Sequence, residues 1–266
     1  MSAAPDFATR RFQSAAAHYL AGRAPYPPAL IARVVELLQL EPDDRVMDLG
    51  CGPAQLAVGF APYVGEVLAL DPEPAMLELA REAASQVPNV EVVQGGSQDI
   101  GAHLGRFRAA VIGRAFHWMD RAETLRRFDD LLEPDGAVVL FGDERPKLPE
   151  NAWLQHYSEL IERFSADDED RQRRRSEAFA PHMSVLLHSP FSRLERASVV
   201  TSRELGVDGL VQRALSQSST SRARLGAQAD EMVAELRAKA PAWSPTGRFT
   251  EVLFSNALIA RRPTAD

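Results

Sequence analysis

The run Val46-Met47-Asp48-Leu49-Gly50-Cys51-Gly52 constrains this chain more than any other stretch. An apolar segment stops at an acid, crosses two glycines and enters Pro53-Ala54-Gln55-Leu56, where a helical pattern begins. Glycine adopts positive φ at little cost and has no Cβ, so a ligand can lie directly on the backbone. A helix that starts there points unpaired N–H groups at that ligand. Asp48 adds a negative charge at the strand end, where an ammonium group fits. Two nucleotide motifs are excluded. The dinucleotide fingerprint needs a third glycine three positions after Gly52, and that position is Gln55. The phosphate-cradling loop needs Gly-Lys-Ser/Thr, which is absent. What remains, Asp-x-Gly-x-Gly, suits a nucleoside that carries a charged amine instead of a pyrophosphate. A tight strand-to-helix turn with no ligand is the plainer reading.

Apolar runs that alternate with helical patterns continue on both sides of this turn. Residues 45–48, 65–70, 90–94, 109–113 and 137–141 read as short buried strands, with helices over 55–63, 74–85 and 120–132 between them. Strands separated by helices of this length predict an α/β fold with a parallel, doubly wound sheet. Ligands on such sheets bind beyond the carboxyl ends of the strands, so each strand end is a candidate contact. Before the sheet, residues 8–20 predict a short amphipathic helix, a Gly/Pro-rich elbow follows, and residues 29–40 predict a second helix. After it, 147–190 is helical and polar, and the mixed-charge run 167–175 reads as a solvated helix or loop. A sixth strand is expected around 194–200, helices over 207–216 and 227–238, and a last strand over 248–261. The polar run 216–221 reads as a loop.

With 266 residues the chain is long enough for a full core, and 45% hydrophobic and 25% charged residues are ordinary for a soluble domain. A net charge of −7 argues against a nucleic-acid partner. Cys51 is the one cysteine, so no intrachain disulfide forms, and no Cys/His cluster suggests a metal. Residues 1–11 lack the apolar core of a secretory signal, and no run approaches the ~20 apolar residues of a membrane span. A cytoplasmic protein with no membrane partner, monomeric or homodimeric, is expected.

Asp71 ends the second strand, 23 positions after Asp48. A carboxylate there can accept both hydrogen bonds of a ribose diol; its competing role is as a helix N-cap. The fourth strand runs into Arg114-Ala115-Phe116-His117-Trp118. His117 is a candidate general base, because its intrinsic pKa leaves a neutral imidazole at pH 7. A hydrogen-bonded loop anchor is the alternative.

Val46 to Gly52 resembles the first motif of the class I S-adenosylmethionine-dependent methyltransferases, although many members carry a further glycine where this chain has Ala54. The resemblance covers roughly residues 12–141 and is carried further by Tyr19, Arg23 and Pro25-Tyr26-Pro27, by Ala115-x-His117-Trp118, and by the Pro134-x-Gly136 turn. It implies a Rossmann-like sheet of seven strands, mostly parallel, with an antiparallel last strand and a helical insertion after strand five. The implied layout is an N-terminal cap (1–40), a cofactor core (41–145), a roof over the acceptor (146–190) and a C-terminal completion of the sheet (191–266).

S-adenosyl-L-methionine is then the expected cofactor. The resemblance places Asp48, Gly50, Cys51 and Gly52 beneath it, Asp71 on its ribose, and Pro72 and Met76 beside its adenine. Members often carry an acid at the place of Gly96; here Ser97 and Gln98 are left to read the adenine edge, with Asp99 in reserve. Tyr19 and Arg23 are implied over the methionine end, with Arg114 near the reactive methyl. Tyr26, Trp118, Trp153 and Tyr157 are the candidates for a small-molecule acceptor pocket; Trp153 and Tyr157 fit core packing as well. The expected chemistry is in-line methyl transfer, with O- and N-methylation foremost and no metal. A homologue with a different reaction, or a non-catalytic nucleoside-binding module, stays open.

Overall fold

The computed structural model describes residues 12–263. Helix α1 (Ala16–Gly22) and helix α2 (Pro28–Leu38) precede strand β1 (Arg45–Leu49) and helix α3 (Gln55–Phe60). Strand β2 (Glu66–Asp71), helix α4 (Pro74–Ala84), strand β3 (Val90–Gln94), strand β4 (Phe107–Gly113), helix α5 (Arg121–Leu131) and strand β5 (Leu132–Glu144) complete the alternating half. Helices α6 (Trp153–Phe164), α7 (Glu169–Arg175) and α8 (His182–Leu187) lead to strand β6 (Arg193–Leu205). Helices α9 (Val207–Leu215), α10 (Arg222–Leu225) and α11 (Gln228–Lys239) then lead to strand β7 (Phe249–Arg261).

The seven strands form one sheet in the order β3-β2-β1-β4-β5-β7-β6. Pairing is parallel from β3 through β5, whereas β7 is antiparallel to both β5 and β6. Strand residues alternate between two faces, as the period of two requires. Val46, Val67, Val111 and Ile259 pack with α2 and α3 on one face; Met47, Leu68, Ile112 and Ala260 pack with α5 and α8 on the other. Both faces are covered, which is why the central strands read as nearly unbroken apolar runs.

The β6–β7 ladder runs past the end of β5: Glu144 pairs with Phe254, and pairing continues out to Leu205 with Phe249. On this extension sits a third core, from α6, α9 and α11. It stands at the carboxyl edge of the sheet, where the ligand side lies.

Several boundaries differ from the sequence reading. The first helix begins at Ala16 and runs to Gly22, where the Arg23 N–H closes it on the Tyr19 carbonyl; residues 8–11 of the expected helix lie outside the described residues. Strand β5 begins five residues early. Its Pro134-Asp135-Gly136 turn is a bulge, since Phe107 pairs with Leu132 and Ala109 next with Ala137. Strand β6 extends well beyond 194–200. It is an edge strand whose exposed face is polar at Arg196, Ser198, Ser202 and Glu204, with Val200 the apolar exception, so apolar patterning marks only its middle. The run 216–221 is buried despite its composition: Thr220 Oγ1 donates to the Ala214 carbonyl (2.7 Å) and Ser216 Oγ to that of Arg213 (2.8 Å).

Candidate functional site

The carboxyl ends of β1, β2 and β4 open on one cavity of about 810 Å³. Its floor is the glycine turn. Gly50 has φ +71°, and a Cβ there would stand 2.6 Å from that of Ala115. Gly52 has φ +53°, and nothing lies within 4 Å of where its Cβ would be, so its backbone faces open space. The turn is tied to β2: Gly50 N–H and Cys51 N–H both donate to the Leu70 carbonyl (2.7 and 2.9 Å). Gly52 N–H donates to Asp71 Oδ2 (2.8 Å), and Glu73 N–H donates to Asp71 Oδ1 (2.9 Å). Each Asp71 oxygen thus keeps a further acceptor direction. Burial pushes this carboxyl up to about 6, less far than it would without the two backbone donors, so it is ionised at pH 7.

Pro72 and Met76 form the next wall with Ser97 and Gln98. Asp99 braces that loop from behind, accepting from Gly96 N–H (2.8 Å) and Gln98 Nε2 (3.0 Å). Tyr19 and Arg23 close the opposite side. Arg23 is fixed by a bond to the Ser216 carbonyl (3.2 Å), and its buried Nε has no hydrogen-bond partner among the described residues.

Asp48 lies elsewhere. It is 1% exposed, accepts the Ala57 N–H at 2.9 Å, and does not reach the cavity wall. Its role here is to hold the first turn of α3, whose N-terminal amides need acceptors. Burial raises its carboxyl to about 7, opposed by the Ala57 bond. Cys51 is also off the wall; burial raises its thiol and its N–H is spent on Leu70.

Past β4, Arg114 takes positive φ (58°) and its N–H donates to the Phe141 carbonyl (3.1 Å). Its guanidinium turns inward, pairs with Asp143 (2.7 Å), bonds the Ala24 carbonyl (2.7 Å) and covers the Tyr26 ring at 4.4 Å. Tyr26 is therefore a core residue, edge-on to Phe141 at 5.7 Å, and not part of the cavity wall. The Arg114 clamp holds the segment before α2 against β5.

His117 and Trp118 line the cavity from a short 3-10 turn, with ring centroids 4.8 Å apart. His117 also stacks on His182 at 6.4 Å. Burial, and then the charges of Arg174, His182, Arg23 and Arg121, push its imidazole down to about 3. It is neutral at pH 7, and a much weaker base than an ordinary histidine.

Trp153 and Tyr157, both expected at the pocket, belong to the third core instead. Trp153 Nε1 donates to the Thr250 carbonyl (2.7 Å), and Tyr157 packs edge-on at 5.9 Å. Their helix places them one layer behind the wall, where Gln217 Nε2 reaches the Tyr157 hydroxyl (3.4 Å). Sequence reading missed the residues that do line this end: Phe12, Arg145, Arg171, Arg174, Ser218 and Ser219. The charged run 167–175 forms α7, capped by Asp168, which accepts Arg171 N–H at 2.7 Å. Arg171 and Arg174 stand three apart on one helical face and turn inward, so the run is not wholly solvated. That spacing was legible; the direction of the face was not.

Residues 46–136 match the family described as "Methyltransferase domain". Over that stretch the chain is similar to methyltransferase domains. The matched stretch runs from β1 into β5 and contains the glycine turn, Asp71, the Gly96–Gln98 loop and the His117-Trp118 pair. Over 233 residues, 87% of each chain, the protein is 28% identical to an uncharacterised methyltransferase of Mycobacterium tuberculosis. Its fold is shared by a methyltransferase of Geobacter sulfurreducens solved with S-adenosylhomocysteine: TM-score 0.54, 17% identity, 96% of this chain and 98% of that one. It is shared too by the YcgJ protein of Bacillus subtilis: TM-score 0.52, 17% identity, 88% and 99% covered. Among the described residues no helix is long and apolar enough to cross a membrane, and no three or more His, Cys, Asp or Glu gather to hold a metal.

Proposed function

We propose that the domain binds S-adenosylmethionine across the tips of β1 and β2 and methylates a small-molecule acceptor at oxygen or nitrogen. The observation that carries this reading is one cavity with two unlike ends. One end is backbone, carboxylate and thin apolar wall; the other is aromatic and cationic. A volume of about 810 Å³ is toward the upper end of the range of about 300–1,000 Å³ for ligand pockets, which suits a cofactor and a small partner together.

The residues present fit the cofactor. Gly52 offers bare backbone, Asp71 has acceptor capacity left for a ribose diol, and Pro72, Met76, Ser97 and Gln98 make a slot of adenine character. Arg23, with its orphaned Nε, suits the methionine carboxylate. When bound, S-adenosylmethionine supplies an electrophilic methyl: the acceptor's lone pair forms the new bond as the S–CH3 bond breaks, leaving neutral S-adenosylhomocysteine.

The chain's own work is then placement. His117 and Trp118 wall the acceptor end beside the turn that follows β4. Alignment of two bound partners contributes on the order of 7–11 kcal/mol at best, without a covalent step by the protein. A neutral, weakly basic His117 accepts a proton only transiently, or orients the acceptor through a hydrogen bond.

Two measurements test the reading. Calorimetry with S-adenosylhomocysteine should give saturable binding that Asp71→Asn weakens, and methyl-labelled S-adenosylmethionine should label a small acceptor from a mixed extract. Absence of heat, or binding indifferent to Asp71→Asn, overturns it.

A further inference from the structure

Among the described residues, one arginine of the cavity wall, Arg171, has no carboxylate paired with it, whereas most of its neighbours do. Arg114 is matched by Asp143, and Arg127 by Glu123. Arg145 shares the single carboxylate of Glu251 with Arg203 and Arg213. On α7, Arg173 pairs with Asp170 and Arg175 with Glu162. Arg171 makes no such pair among the described residues, and its Nε is buried without a hydrogen-bond partner. Arg174, one helical turn on, lies over the Trp118 ring at 4.4 Å.

A cofactor carboxylate would answer Arg23 alone. Arg171 and Arg174 line the same cavity from a different element, α7, and Arg174 lies against Trp118. Guanidinium groups recognise planar oxyanions by paired N–H bonds, and burial makes an unanswered one costly. Trp118 and Phe12, 5.7 Å apart and edge to face, offer an apolar surface beside those cations.

We propose that the methyl acceptor carries an oxyanion, a carboxylate or a phosphate ester, on a planar apolar body, and that Arg171 and Arg174 of α7 hold that group. This inference rests on the methyltransferase reading and narrows it to a substrate class. It also assigns α7 a role in specificity: the oxyanion is gripped from the helix, and the reacting atom is left toward the cofactor side.

The test uses the full chain saturated with S-adenosylhomocysteine, after cofactor binding has been measured by itself. Benzoate, phenyl phosphate and benzamide are then titrated as probes of one body and three head groups. The expected result is that benzoate or phenyl phosphate binds at least tenfold tighter than benzamide. Arg171→Gln and Arg174→Gln should each abolish that preference while S-adenosylhomocysteine affinity stays within twofold. Whichever acid is favoured identifies the source of the oxyanion. Equal binding of all three, or none of any, overturns the inference and leaves the cofactor reading standing, since that was measured separately. A second comparison sets S-adenosylhomocysteine against methylthioadenosine, which lacks the amino-acid carboxylate. If Arg171→Gln weakens only the former, the arginine serves the cofactor and the inference fails. Should the glutamine variants not fold, Arg171→Lys and the salt dependence of wild-type benzoate binding decide: a preference unmoved by either contradicts a guanidinium grip.

Discussion

Gly52 N–H donates to the Asp71 carboxylate at 2.8 Å, so the turn after β1 and the acid ending β2 form one hydrogen-bonded unit. The floor of the cavity and the acid at its edge are therefore set together. A change in either disturbs both, which makes the pair a sharp test of the proposed cofactor site.

Gly52→Ala should cost about 1 kcal/mol of stability through its positive φ. Its effect on S-adenosylhomocysteine should be larger, because the new methyl projects into open cavity. A loss of tenfold or more in affinity is expected by calorimetry, beside a small shift in a urea denaturation curve. Asp71→Asn should lose 10- to 100-fold in affinity, since the amide replaces one acceptor oxygen by a donor.

Asp48 predicts an inverted pH dependence. Its folded-state carboxyl, raised to about 7, holds a proton that the unfolded chain releases near pH 4. Between those values the folded state binds more protons, so stability falls as pH rises, by at most about 1.4 kcal/mol per pH unit. Asp48→Asn keeps an oxygen for the Ala57 N–H and removes the charge. It should flatten that slope and stabilise the protein at pH 8. Chemical denaturation at pH 5 and pH 8 checks this; a variant less stable at pH 8 contradicts it.

Glu251 is the opposite case. Burial alone would raise its carboxyl, yet Arg213, Arg145 and Arg203 more than overcome that and hold it near 2. It is fully buried on β7, opposite Arg203 of β6. Glu251→Gln leaves three guanidiniums without their shared counter-charge and should cost about 3–5 kcal/mol. Thermal or urea unfolding of the variant measures it.

His117 should remain neutral throughout the physiological range. Its pKa of about 3 follows from burial and four neighbouring cations or imidazoles. The imidazole C–H chemical shifts should therefore stay flat from pH 8 to pH 5, and His117→Gln should leave no missing limb near pH 6.5 in a pH–rate profile. A transition at 6–7 assigned to His117 would contradict the structure.

Much of this architecture was legible from residues alone. The β1 turn and Asp71 announce themselves by composition at strand ends, and local periodicity marks the parallel strands because both faces are buried. The acceptor end was harder. Trp153 and Tyr157 sit at helical spacing, which is equally the pattern of core, and the third core is where they went. Asp48 reads as a ligand because it ends a strand, but one backbone amide, Ala57, captures it. Arg171 and Arg174 read as solvent-facing because their neighbours are charged. Their inward direction depends on how α7 is laid across the sheet, a long-range fact that no window of sequence contains.

The sheet order has a consequence for how the molecule is assembled. β7 is the last of the seven strands to leave the ribosome, yet it is wedged between β5 and β6. Until it arrives, β6 has no neighbour in the sheet and the Arg145, Arg203 and Arg213 cations have no Glu251 to gather around. The alternating half can take shape early, but the third core beyond it is fastened only when the nascent chain slides β7 into its slot.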